Sequence, residues 1–175
     1  DMSTWSPNPP AGDDSDLTGV DFDRGLTFAR HAGWTMYLGI NLGEFAPDTF
    51  AAEAGYAAGR SGAAGVLTAI EIGNEPDVFN GYYRSQAYNG DSIAHDDAAY
   101  DAALTRRAPG LPRVGPAMCC KTTDFSEFLL AGGSQGLALL TYHHYPTTAV
   151  DNPTPGGMLG PGLMAKTATL IDQVV

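Results

Sequence analysis

Apolar and polar positions along this chain switch between two periods. Residues 20–32 place Phe22, Leu26 and Ala29 at helical spacing, and Gly33 stops the run. The next segment, 34–40 (WTMYLGI), is apolar almost throughout and predicts a buried strand. Asp48 is placed to cap a helix over 49–61, with Phe50, Ala54 and Ala57 or Ala58 on one face. Residues 66–72 (VLTAIEI) predict a second strand, followed by a loop over 74–93 rich in Asn, Gly and Tyr. A helix over 95–107 carries Ala99, Tyr100, Ala103 and Leu104 and ends before Pro109. A third strand, 113–118 (RVGPAM), contains Pro116, which has no N–H to give to a ladder. Thr123 or Asp124 opens a short helix that buries Phe125, Phe128 and Leu129 and is closed by Gly132 and Gly133. The pattern ends with a fourth strand at 137–142 (LALLTY) and a last helix over 161–175.

Near-continuous apolar strands separated by helices imply an α/β fold with a parallel sheet covered on both faces. An open doubly wound sheet and a (β/α)8 barrel both fit. No phosphate-binding glycine pattern follows a strand, since neither 39–43 (GINLG) nor 55–59 (GYAAG) has the required spacing. Polar residues gather instead just past the strand ends: Asn41, Asn74, Glu75 and the group 143–145. Both architectures put their sites there, so position alone leaves the choice open.

Charge narrows the partners. Nine basic against 20 acidic residues give a formal net charge of −11. That argues against nucleic acid, whose phosphates need a basic face, and against an anionic membrane surface. No run approaches the ~18–20 apolar residues of a membrane span. The uncharged stretch 128–150 is broken by Gly132, Gly133, Gln135, two His and Pro146. Cys119 and Cys120 are adjacent, a spacing that disfavours a bridge between them, so two separate thiols are expected. No signal peptide opens the chain, which begins at Asp1 without Met and reads as an excised segment.

The residues at the strand ends carry the chemistry. In 72–77 (IGNEPD), Gly73 permits a tight turn and Pro76 biases Glu75 away from helix. A carboxylate held at the sheet rim beside an amide suits a glycosidase acid/base, but equally a helix cap or a loop pin. In 141–146 (TYHHYP), His143 and His144 point to opposite faces of an extended chain and do not easily share a metal ion. One of them is expected to orient a carboxylate by hydrogen bond. Tyr145 offers a ring and a hydroxyl to a sugar, or simple packing at the rim. Glu71 reads as a hydrogen-bond partner inside its strand, and Tyr82, Tyr83 and Tyr88 as a carbohydrate subsite or a solvated turn. No G-x-S-x-G elbow occurs, and the residues call for neither metal nor cofactor.

Taken together, 71–77 (EIGNEPD), 141–146 (TYHHYP), 37–43 (YLGINLG) and the opening DMSTW resemble the clan A retaining glycoside hydrolases. More narrowly they resemble family 79, the heparanase and β-glucuronidase group. The resemblance implies a (β/α)8 TIM barrel, of which residues 1–175 are a partial catalytic domain from the end of strand 2 through helix 6. It implies Glu75 as general acid/base and Asn74 as a partner of the sugar near its 2-hydroxyl. Tyr145 and His143 would flank the nucleophile or a uronate carboxylate, and Asn41 and Asp1 would line the glycone pocket. The nucleophile, a Glu ending strand 7 in that clan, would lie outside this chain, and the partner would be the remainder of the same barrel. The expected activity is hydrolysis of terminal uronate residues from a carbohydrate substrate. The alternatives are a non-catalytic carbohydrate-binding segment and a clan A glycosidase for a neutral sugar. The negative charge disfavours a long polyanion as substrate. The residues leave the compartment open, and only analogy with glycan hydrolases points outside the cytoplasm.

Overall fold

A computed structural model of the chain describes residues 4–6, 16–60, 62–147, 154–158 and 160–174. The elements follow one another as β1 (Thr4–Trp5), β2 (Asp16–Leu17), α1 (Gly19–Ala32), β3 (Met36–Ile40) and α2 (Pro47–Ala58). After these come β4 (Leu67–Ile72), α3 (Gly90–Arg107), β5 (Arg113–Met118), α4 (Thr122–Leu130) and β6 (Leu137–Tyr142). Two more helices, α5 (Pro155–Met158) and α6 (Pro161–Val174), end the described chain. β1 and β2 form a small parallel pair, and the main sheet is parallel with strand order β3-β4-β5-β6. The sheet therefore runs in chain order, with no reversal among the described residues.

Sequence chemistry accounts for the helix ends. Thr18 and Asp21 form a capping box on α1, and Gly33 closes that helix in the left-handed conformation at φ 69°. Pro47 sits in the first turn of α2, where its missing N–H costs nothing. Asp48 lies inside that first turn rather than capping it, and bonds Arg106 of α3. Asn89 caps α3 by accepting the Ser92 N–H at 3.2 Å. The helix thus starts at Gly90, five residues earlier than the apolar spacing predicts.

The core lies where the helices meet the sheet. Ile40, Leu42, Ile70, Ile72, Ile93, Tyr100, Leu104, Met118 and Phe128 are fully buried. Each buried aliphatic of this size stabilises the fold by roughly 1.5–3 kcal/mol. α3 packs on both α2 and α4. Tyr100 stacks on Phe50 and donates to the carbonyls of Asn41 and Glu44, which ties α3 to the loop after β3. Pro116 interrupts the ladder as its chemistry requires: β4 and β5 are in register only at Ile70–Arg113 and Glu71–Val114. At the sheet margins Tyr37, Leu139 and Leu140 remain exposed. No helix among the described residues is long and apolar enough to cross a membrane.

Candidate active site

The parallel sheet brings the ends of β4, β5 and β6 together, and the expected chemistry-bearing residues meet there. Glu75 follows β4 in a left-handed backbone conformation, φ 54°. Its N–H is held by the Ala117 carbonyl at 2.8 Å, and Ala117 itself sits at φ 54°. Non-glycine residues adopt this region at a cost of about 1–3 kcal/mol, so the surrounding bonds must fix it. Pro76–Val78 forms a single 3-10 turn behind Glu75, but the Glu75 side chain does not cap that turn.

The carboxylate turns instead toward the end of β6. His143 Nδ1 lies 2.9 Å from Glu75 Oε1, and the Tyr145 hydroxyl donates to the same oxygen at 3.1 Å. Glu75 and His143 are half-buried, while Tyr145 is 65% exposed and leans over the pair. The Glu75 carboxylate beside it pushes the Tyr145 phenol above the usual tyrosine range. A bond to the ionised acid favours the protonated phenol, so Tyr145 remains a donor. Next to it His144 turns the other way and meets Thr167 of α6 at 3.1 Å. The two histidines thus serve opposite faces.

Three supports lie behind this pair. Thr141 donates to Glu71 Oε1 at 3.0 Å and accepts the Ala117 N–H at 2.9 Å. Glu71 is thereby committed as a structural partner. The Met118 carbonyl takes the His143 N–H at 2.6 Å. Asp77, only 2% exposed, accepts the N–H groups of Cys119, Cys120 and Lys121 at 3.2, 2.7 and 2.8 Å. Three successive amides converging on one carboxylate form a cradle that welds the loop after β5 to the loop after β4.

That curled backbone also corrects the expectation about the cysteines. Cys119 and Cys120 are joined in a disulfide. In an extended strand their side chains would point apart. With both amides turned onto Asp77, the chain is curled and the sulfurs meet. Asp77, Cys119 and Cys120 are also grouped closely enough to suggest metal ligands. Here the sulfurs bind each other and the carboxylate is taken by backbone.

The other predicted residues are dispersed more widely. Asn74 is exposed on the rim beside Glu75. Asn41 follows β3 on the same rim but is buried, with Oδ1 accepting the Gly43 and Glu44 N–H groups at 2.8 and 3.3 Å. Its carbonyl oxygen side is thus used to shape the loop. Asp1 lies outside the described residues. Tyr82 and Tyr83 are exposed, whereas Tyr88 is buried, stacks on Phe79 and donates to Asp96 at 3.0 Å. Tyr88 therefore belongs to the packing and not to a sugar-facing surface. Sequence reasoning assigned no role to Asp77 or Ala117. An acid two residues past Glu75, facing a second strand end with paired cysteines, was the available signal. Compared with models of known protein families and with curated proteins, the chain matches none.

Proposed function

We propose that this chain carries the acid/base half of a retaining glycoside hydrolase that resembles the β-glucuronidases of family 79. The observation that supports it best is the Glu75 carboxylate at the end of β4, met on one oxygen by His143 and Tyr145 from the end of β6. In the acid form Glu75 protonates the glycosidic oxygen as the leaving group departs. In the ionised form it takes a proton from the water that frees the sugar. His143 and Tyr145 orient the carboxylate in both steps, and Asn74 on the rim is placed for a sugar hydroxyl. A nucleophilic carboxylate about 5–5.5 Å away would come from another strand of the same barrel.

The strand order supports a (β/α)8 barrel. A parallel sheet in chain order with right-handed crossovers carries its connecting helices on one face, as a barrel does. Exposed Leu139 and Leu140 on β6 and Tyr37 on β3 fit margins that further strands cover.

Kinetics of the intact protein test the reading. Glu75→Gln should lower turnover of an aryl glucuronide with a poor leaving group by about 10²–10⁴-fold. Azide should partly restore turnover of an activated one. Unchanged turnover removes Glu75 from the chemistry. Faster hydrolysis of a nitrophenyl glucoside than of the glucuronide would move the substrate to a neutral sugar. No turnover of either, with sugar still bound, would leave a carbohydrate-binding module.

A further inference from the structure

The cysteine pair lies in a five-residue segment, 117–121, that bonds Glu75, Asp77 and His143. Ala117 and Met118 hold the backbone N–H groups of Glu75 and His143 at 2.8 and 2.6 Å. Cys119, Cys120 and Lys121 hold the Asp77 carboxylate, two residues past Glu75. The disulfide closes the middle of this segment. Cys120 is exposed and Cys119 half-buried, with Cys119 Sγ on the Asp77 side.

We propose that the Cys119–Cys120 disulfide is a thiol-exchange switch: oxidised, it holds Glu75 and His143 in register, and reduced by a small dithiol, it releases them. The proposal deepens the reading of that pair as a proton-transfer centre and rests on it for its functional consequence. In the first step a thiolate of the dithiol attacks Cys120 Sγ. The protein S–S bond breaks, and its electron pair leaves on Cys119 Sγ, which takes a proton. The second thiol of the reagent, as its thiolate, then attacks the mixed disulfide. The Cys120 thiol is released and the reagent closes to its own cyclic disulfide. Two electrons and two protons pass from the dithiol to the protein.

The consequence follows from Asp77. Cys119 Sγ lies 3.8 Å from Asp77 Oδ1. As a disulfide sulfur it carries no hydrogen. As a thiol it becomes a donor that competes with the three amides for the same carboxylate. The covalent constraint on 119–120 is lost at the same moment. The cradle loosens, and with it the carbonyls of Ala117 and Met118 that position Glu75 and His143.

Backbone hydrogen exchange in the intact protein reads this without a substrate. Dithiothreitol should release the two thiols of the pair. Exchange at the amides of Glu75, Cys120, Lys121 and His143 should then quicken by roughly tenfold or more through local opening. Ile70 in β4 should be unaffected, and oxidised glutathione should restore slow exchange. A C119S/C120S variant should exchange fast from the outset and respond to neither reagent. If no thiols are released, or if they are released with exchange at Glu75 and His143 unchanged, the switch is overturned. It also falls if Ile70 quickens equally, because the disulfide is then a general staple. Aryl-glucuronide turnover on the same samples is a separate readout: redox-dependent exchange in an inactive protein would overturn the glycosidase reading alone.

Discussion

Asp77 is a buried carboxyl group held by backbone. Three amides supply its hydrogen bonds, and charge-assisted bonds of this kind are individually worth about 1.5–3 kcal/mol. Asp77→Ala would remove the acceptor and leave buried donors unmatched. The expected loss of stability is roughly 3 kcal/mol, read as a lower denaturant midpoint. Tyr145 allows a gentler test of the same neighbourhood. Its phenol is held above the ordinary tyrosine range chiefly by its bond to the Glu75 carboxylate, and then by that group's charge. Glu75→Gln removes the charge, so the Tyr145 titration followed by NMR should fall back toward the ordinary value. No change would mean that the two side chains do not meet in solution. At this scale the sequence made Glu75, His143 and Tyr145 legible because each follows an apolar strand whose end is fixed by pattern. Asp77 and the disulfide were not legible. Their geometry depends on how an irregular loop curls, and no periodicity encodes that.

Periodicity did encode the elements. Strands 113–118 and 137–142 have the boundaries that the apolar runs predict: the first is buried almost throughout, and the second keeps the apolar run although its residues are open at the sheet margin. The start of α3 falls inside 74–93, whose Asn, Gly and Tyr content predicts a loop. Here Asn89 is a cap, and Gly90 is chosen for closeness: a Cβ there would run into the Asp124 carbonyl of α4. Gly90→Ala should therefore separate α3 from α4 and lower the melting temperature, despite alanine's better helix propensity. Gly25 is the contrasting case. It lies inside α1, a Cβ there would meet nothing within 4 Å, and it borders an apolar cavity of about 180 Å³ lined by Phe22, Leu26, Met36 and Leu38. Gly25→Ala should stabilise the protein by about 1 kcal/mol. If both substitutions lower the melting temperature alike, the distinction between a contact glycine and a free one fails.

Across the whole molecule the balance of charge makes pH a stability variable. Glu53 of α2 and Asp97 of α3 are 1% and 2% exposed, and each has a carboxylate oxygen without a hydrogen-bond partner among the described residues. Burial pushes Glu53 up to about 7. Burial first, and the neighbouring Asp101 charge second, push Asp97 up to about 7. In the unfolded chain both groups would release their protons near pH 4. Below that pH they are neutral in either state and cost nothing. As pH rises from about 4 to 7, the unfolded state loses its protons while the folded state keeps them, so stability declines and the loss is complete above about pH 7. Each site is worth on the order of 3 kcal/mol over that window. The net charge of −11 adds general repulsion in the same direction. The surface acids Asp21 and Asp23 act oppositely, because their hydrogen bonds to Thr18 and Arg60 favour the ionised form. Their contribution is lost only as pH falls below the usual carboxylate range, and solvent screens it. The stability maximum should therefore lie on the acid side of neutrality. A Glu53→Gln/Asp97→Asn double variant should match the parent near pH 3 and exceed it near pH 8. Denaturant titrations at the two pH values check this, and an equal effect at both would place the cost in packing rather than in proton release.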